Sequence, residues 1–176
     1  HCMTVSGLAT AFAISLGMSK PDVERIAVGA LLHDIGKMRL PLSILDKPVR
    51  LSPEERALIN RHPVFGAEIL RRDGTFSDEV IDITLHHHEL LDGTGYPDGL
   101  KGHEISDPVR IMTVVDIFAA MIDELAYRVA IPADEAYAEL VRMGEKLDQD
   151  IVRVFEATAK SDSDRGSGET KHARTA

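Results

Sequence analysis

The 176-residue chain carries 20 lysines and arginines against 29 aspartates and glutamates, which gives a net charge of −9 with neutral histidines. This excess of acid excludes a protein that neutralises phosphates along a duplex, and we expect no DNA partner. The single cysteine, Cys2, excludes an internal disulfide. No apolar run approaches the ~20 residues that cross a bilayer, so we expect a soluble cytoplasmic domain without a membrane span in this chain.

Helix signals follow one another along the chain, and strand signals are nearly absent. Apolar residues recur at helical spacing, and Ser52-Pro53-Glu54-Glu55 is a capping box that predicts a helix start. Pro63 interrupts the pattern, so we predict a break there. The predicted helices are 3–16, 21–33, 52–61, 65–72, 77–89, 107–125, 132–143 and 147–159. The predicted fold is all-α.

Three segments lack a helical pattern. Residues 38–51 contain two prolines and predict a connector, and residues 92–106 are rich in glycine and predict a shaped loop. Residues 161–176 are rich in Ser, Asp, Gly and Thr, which predicts a disordered tail. We therefore divide the chain into one domain, residues 1–160, and a tail, residues 161–176. Because the first residue is His1, we expect the domain to be truncated at its N-terminus.

His33 and Asp34 end a strongly apolar predicted helix. Burying an imidazole beside a carboxylate is costly unless both have partners. A divalent metal would offset that cost, since neutral imidazole and carboxylate are common ligands. The alternative is that the two side chains only cap each other.

The adjacent pair His87-His88 strengthens the metal interpretation. Neighbours on a helix point about 100° apart, so we expect the two rings to serve different ions of a close pair. Two such ions suit phosphoryl chemistry. A solvated histidine cluster is the alternative, and we interpret His86 as an outer partner or a surface residue.

Three further residues complete the candidate set. His1 begins the first helix, His62 stands at the predicted break, and Asp116 lies in an apolar stretch. Each alone favours an ordinary structural role. Together with the two doublets, they predict one metal centre.

Two motifs carry a resemblance to a known family. His33-Asp34-Ile35-Gly36-Lys37, followed by the run from His87 to Pro97 that ends in Gly95-Tyr96-Pro97, closely resembles the HD-GYP family. That family is a branch of the HD-domain metal-dependent phosphohydrolases, and the similarity covers about residues 1–128. The resemblance implies an HD-domain helical bundle with a GYP-containing loop. It places the metal ligands at His1, His33, Asp34, His62, His87, His88 and Asp116.

The resemblance also implies an activity. HD-GYP proteins are bacterial signal-transduction enzymes that hydrolyse cyclic di-GMP to pGpG, or onward to GMP, through a hydroxide between two divalent ions. Iron or manganese is the usual metal, and a third ion is left open. Asp34 would bridge the ions, and Lys37 would contact and polarise the substrate phosphate. The remaining implied substrate contacts are Arg110, Arg128, Gly95, Tyr96 and Pro97.

The resemblance also implies that the GYP loop offers a surface to partner proteins, and a diguanylate cyclase (GGDEF) is the partner we expect. A homodimer is plausible by analogy only. An upstream receiver or sensory domain is usual in the family.

The chain departs from the family pattern at two positions. Leu125 replaces an arginine that would grip the second phosphate, and Ala119 stands where an aspartate is common. Leucine cannot make the bidentate contact of an arginine. This favours an alternative, a catalytically weak signalling module that binds a cyclic dinucleotide or a cyclase partner. Hydrolysis of another phosphorylated nucleotide is a third hypothesis.

Overall fold

The computed structural model describes residues 1–47, 49–123 and 130–169, without the side chains of 161–169. Its α-helices are α1 (Cys2–Ser15), α2 (Lys20–Leu32), α3 (Leu42–Leu45), α4 (Pro53–Ile59), α5 (His62–Asp73), α6 (Asp78–His86), α7 (Asp107–Ile122), α8 (Ala133–Arg142) and α9 (Gln149–Glu169). Short 3₁₀ segments lie at Ile35–Arg39, Gly102–Glu104 and Gly144–Lys146. An isolated bridge between Asp92 and Lys101 is the nearest approach to a strand in the described ranges. The all-α prediction is confirmed.

Helix α7 is the centre of the bundle. It contacts α1, α2, α6, α8 and α9, and its buried residues lie on every side of the helix. Phe118 of α7 and Phe12 of α1 each pack edge-to-face against Phe155 of α9, with ring centroids 5.1 and 5.0 Å apart. Such pairs add specific geometry to the burial of apolar area. The rigid packing around α7 fixes the position of Asp116, which α7 carries.

A close backbone approach joins the segment after α2 to the start of α5. A Cβ added at Gly36 would lie 1.9 Å from the His62 carbonyl oxygen and 2.4 Å from the Gly66 nitrogen. Only glycine permits this approach. The His-Asp motif and His62 are therefore held side by side.

The structure corrects several predicted boundaries. The predicted break is present, but it lies at residues 60–61, just before Pro63. Pro63 itself is in the first turn of α5, where a missing N–H costs nothing. The connector 38–51 contains the end of a 3₁₀ segment and the short helix α3. Helix α6 ends at His86 rather than residue 89, and α9 continues to Glu169, past the predicted boundary at 160. Disorder stays a prediction for residues 170–176, which lie outside the described ranges.

No described helix has the length and apolarity needed to span a bilayer.

Candidate metal centre

The predicted ligands converge on one place. Their ligand atoms form three overlapping groups, within each of which all atoms lie within 4.8 Å of one another. The groups are His62 with His87 and His88, His1 with His33 and Asp34, and His33 with His87 and Asp116. Because the groups share members, they describe one extended cluster.

Three buried histidines are oriented in the same way. The Nδ1–H groups of His33, His62 and His87 donate to the carbonyls of Ala30, Ile59 and Thr84, at 2.6, 2.8 and 2.9 Å. Each carbonyl lies three residues before its histidine. A donor at Nδ1 leaves Nε2 as the free lone pair, which is how proteins usually prepare a histidine for a metal.

The Asp34 carboxylate lies between two of these rings. Its Oδ1 is 3.2 Å from His62 Nε2, and its Oδ2 is 3.4 Å from His33 Nε2. Asp116 Oδ1 lies 3.5 Å from the same His33 nitrogen. Two ligands that each lie ~2.0–2.2 Å from one ion are separated by roughly 3.0–3.6 Å. The spacing fits donor atoms that would share cations, and the Asp34 carboxylate faces two of the histidine nitrogens.

Two atoms of the cluster lack ordinary partners. His33 Nε2 and Asp34 Oδ1 are buried, and neither makes a hydrogen bond of good geometry. Buried polar atoms without partners are costly, and a metal ion is one of the few explanations for a pair of them. The residues present therefore fit divalent metals.

The electrostatics of the cluster keep its carboxylates charged and the imidazoles of His87 and His88 neutral. Burial would lower the pKa of His33, but the adjacent Asp34 carboxylate raises it above its usual value. Burial would raise the pKa of Asp34, but the imidazoles of His33 and His62 beside it hold that pKa well below its usual range. Burial lowers the pKa of His87 and brings that of His88 to about 4. Deprotonated acids and neutral imidazoles are the forms that bind metals.

His1 and Asp116 form the other edge of the cluster. His1 Nε2 lies 2.9 Å from Asp116 Oδ1, and His1 Nδ1 lies 2.8 Å from Asp123 Oδ2. Its hydrogen bond to Asp116 raises the pKa of His1 to about 9. Thr4 also donates to Asp123, at 3.0 Å. Sequence reasoning missed Asp123, which orients His1; its spacing of seven residues, two helical turns, after Asp116 is the signal that could have found it.

The geometry of His87 and His88 differs from the sequence-based expectation. Because α6 ends at His86, the pair lies in a turn, and the two rings are 4.1 Å apart at an interplanar angle of 44°. Both rings lie against the His62 ring, with centroids 5.3 Å away for His87 and 5.1 Å away for His88. That each ring serves a different ion stays a prediction.

The GYP loop closes against the same histidines. Tyr96 packs on His88 with ring centroids 4.7 Å apart, and the Tyr96 N–H donates to the His88 carbonyl at 3.2 Å. A Cβ at Gly95 would lie 2.4–2.5 Å from backbone atoms of residues 88–90. The structure contains a cis peptide between Tyr96 and Pro97. The three residues thus form a wall of the site.

A buried glutamate that sequence reasoning missed holds this loop. Glu89 is 1% exposed, and its carboxylate accepts the N–H groups of Asp98, Gly99 and Leu100 at 2.7, 3.0 and 3.0 Å. A glutamate next to the histidine pair was visible in the sequence, but its backbone partners were not.

Lys37 lies at the mouth of the centre. Its Nζ donates to Asp34 Oδ2 at 2.6 Å, and its side chain also lines a cavity of about 500 Å³. The ammonium group is therefore next to the carboxylate predicted to bridge the ions. Its contact with a substrate phosphate stays a prediction.

The side chain of Arg110, one of the two predicted arginine contacts, bonds groups outside the cluster. Arg110 donates to the carbonyls of Ile105 and Gly102, both at 2.9 Å, and to Asp148 at 3.1 Å. These bonds hold the base of the GYP loop, so the structure replaces its expected phosphate contact with a structural role. Arg128 and Leu125 lie outside the described ranges, and Ala119 is fully buried in the apolar core.

The comparisons with known proteins agree with this centre. A profile of the HD domain family matches residues 2–151. The chain belongs to the HD domain family. It is 38% identical over 155 residues to a cyclic di-GMP phosphodiesterase of Pseudomonas aeruginosa, covering 88% of this chain and 37% of that protein. The HD-GYP resemblance is thereby confirmed.

Two further proteins match most of this chain. A 3′3′-cGAMP-specific phosphodiesterase of Vibrio cholerae is 40% identical, covering 78% of this chain and 30% of that protein. The structure of an HDG"Y"P protein from Bdellovibrio bacteriovorus matches with a TM-score of 0.74 and 30% identity, covering 91% of this chain and 51% of that one. This HD domain therefore spans less than half the length of the two curated relatives.

Proposed function

We propose that this HD domain is a metal-dependent phosphodiesterase that hydrolyses cyclic di-GMP to pGpG, or onward to GMP. The observation that carries the proposal is the position of Asp34, whose two oxygens face the free Nε2 atoms of His62 and His33. The curated relatives with this activity support the substrate class.

The residues that would hold two divalent ions are His1, His33, Asp34, His62, His87, His88 and Asp116. Such ions supply Lewis acidity toward the phosphodiester and lower the pKa of water. We propose iron or manganese, and leave a third ion as a prediction. The carbonyl partners of the buried histidines hold the rings in the required tautomer, so little reorganisation is needed at the site.

The chain's other residues would act on the substrate directly. Lys37 brings a positive charge beside Asp34, where it would neutralise a non-bridging phosphate oxygen. Tyr96 covers His88 and restricts the approach of water from that side. An anionic substrate could thus approach an acidic chain, because bound divalent ions would make the local charge at the centre positive.

The comparison with relatives does not decide which nucleobases the substrate carries. Phosphodiesterases of cyclic di-GMP and of 3′3′-cGAMP are 38% and 40% identical to this chain, so identity does not separate the two substrates. The solved HD domain of an L. monocytogenes phosphodiesterase, in complex with cyclic di-AMP, is 20% identical to this chain and supports only the fold.

The test is a turnover assay with purified protein and Mn²⁺, or Fe²⁺ under anaerobic conditions. We expect linear pGpG or GMP from cyclic di-GMP by chromatography, and faster turnover of cyclic di-GMP than of 3′3′-cGAMP. Binding without turnover would favour the signalling module, and neither binding nor turnover would favour another phosphorylated nucleotide. A cytoplasmic location, a diguanylate cyclase partner and a homodimer stay predictions.

A further inference from the structure

A cavity of about 500 Å³ opens beside Lys37, between the connector and α4. This volume lies within the range of small-molecule sites. Its apolar wall is formed by Ile44, Leu45, Val49, Leu51 and Ile59, and its remaining lining residues are Lys37, Lys47, Arg50 and Arg56. Four cations and no acid line it, in a chain whose net charge is −9.

The four cations are not equally available. Lys37 donates to Asp34, and Lys47 donates to both oxygens of Glu55 at 2.7 Å. Arg50 and Arg56 are exposed, and neither side chain makes an ion pair with the described residues. Two guanidinium groups therefore face solvent at an apolar cavity, where they can bind an anion.

The cavity borders the metal centre at Lys37. Lys37 belongs to both, since it bonds Asp34 and lines the cavity. A ligand with one phosphate at Lys37 would therefore extend into this space.

A cyclic dinucleotide has the matching chemistry. It carries two phosphodiesters and two planar bases, so that cleavage of one ester leaves a second anion to be accommodated. Guanidinium groups bind phosphates through bidentate, charge-assisted hydrogen bonds, and an apolar wall favours a base. A substrate with a single phosphate and no base would not need the cavity.

We propose that this cavity is a specificity subsite for the half of the cyclic dinucleotide remote from the cleaved bond. Arg50 and Arg56 bind its second phosphodiester there, and Ile44, Leu45 and Ile59 contact a base. The assignment rests on the proposed function, because it presumes hydrolysis at the metal centre.

The test compares two substrates in a double variant, Arg50→Gln with Arg56→Gln. We expect KM for cyclic di-GMP to rise about tenfold, equivalent to about 1.4 kcal/mol, while kcat is unchanged. Hydrolysis of bis(p-nitrophenyl) phosphate, a single phosphodiester without a base, should be unaffected. Arg72→Gln, at an exposed arginine of α5 away from the cavity, is the matched control and should behave as the wild type.

Calorimetric titration with cyclic di-GMP, after removal of metal by a chelator, gives a readout without turnover. The double variant should bind more weakly than the wild type. An unchanged KM and affinity, or equal losses on both substrates, would overturn the subsite. If the wild type binds cyclic di-GMP without cleaving it, the proposed hydrolysis fails and the titration alone decides the subsite; if it does neither, both proposals fail.

Discussion

The loop of residues 92–106 and the connector of residues 38–51 both border the metal centre, and they are held very differently. The loop is fixed from inside by the buried Glu89 carboxylate and by Arg110, each of which bonds several backbone groups. The connector exposes large apolar side chains, with Met38 and Leu42 79% and 71% exposed, and is tied by partly exposed ion pairs such as Arg39 with Glu68. Buried, fully paired polar groups define a structure far more strongly than surface ion pairs.

This difference assigns separate tasks to the two segments. The GYP loop is a fixed wall that keeps Tyr96 against His88. The connector forms the wall of the cavity, where substitutions can change substrate preference with little effect on the metal ligands. Four predictions test this contrast.

The largest expected effect is that of Glu89→Ala. Three backbone N–H groups, in hydrogen bonds that are partly buried, lose their acceptor. Since a hydrogen bond to a charged group contributes about 1.5–3 kcal/mol, we expect a loss of roughly 3 kcal/mol in the free energy of unfolding. Chemical denaturation measures it. Glu89→Gln keeps one acceptor oxygen and should lose less; equal stability of Glu89→Ala and wild type would show that the carboxylate does not hold the loop.

Gly95→Ala should be the next most damaging change. Its Cβ would lie 2.4 Å from the Leu90 nitrogen and 2.5 Å from the His88 oxygen, so the backbone must shift, at a cost of about 1–3 kcal/mol. Gly7→Ala, where a Cβ meets no atom within 4 Å, is the control. Equal melting temperatures of the Gly95→Ala and Gly7→Ala variants would contradict the close packing of the loop.

His86 should make a smaller, pH-dependent contribution. Burial would lower the pKa of His86, but its hydrogen bonds to Asp82 at 2.6 Å and Asp98 at 3.1 Å raise that pKa above its ordinary value. A raised pKa means that the stabilisation is complete below pH ~6.5 and disappears as the pH rises through the folded-state pKa.

The measurement is the stability difference between wild type and His86→Gln across pH 6 to 9. We expect up to about 1 kcal/mol at the acidic end, because Asp98 is largely exposed, and a decline toward the basic end. If the stability difference between wild type and His86→Gln grew with pH, the His86 pKa could not be raised in the folded state, and the prediction would be wrong.

The smallest effect is expected in the connector. Met38→Ser and Leu42→Ser remove largely exposed side chains, so the free energy of unfolding should change by less than about 0.5 kcal/mol. Denaturation of each variant beside Glu89→Ala sharpens the contrast. A loss comparable to that of the loop variant would mean that the connector is as firmly anchored as the loop.

The sequence predicted much of this architecture, and its failures have physical reasons. Apolar spacing and the capping box at Ser52 predicted helices well, because both act within a few residues. The seven candidate ligands were predicted through motif and family resemblance, and the structure brings their side chains together. The carbonyls of Ala30, Ile59 and Thr84 were invisible, since any residue supplies one.

Long-range partners were the least predictable. Arg110 has the charge of a phosphate ligand, but its acidic partner Asp148 lies 38 residues further along the chain. The directions of His87 and His88 depended on the residue at which α6 ends, and boundaries are poorly encoded locally.

The central claim is that these histidines and aspartates hold divalent metal, and elemental analysis tests it most directly. Protein prepared in metal-replete conditions and then gel-filtered should retain about two ions per chain. In Asp34→Ala, metal affinity should fall by more than roughly 100-fold, which exceeds the usual effect of removing a residue that only hydrogen-bonds a metal ligand. The exposed control Asp46→Ala should keep its metal. Both variants should stay folded by circular dichroism. Wild-type protein without bound metal, or undiminished metal in folded Asp34→Ala, would contradict the account.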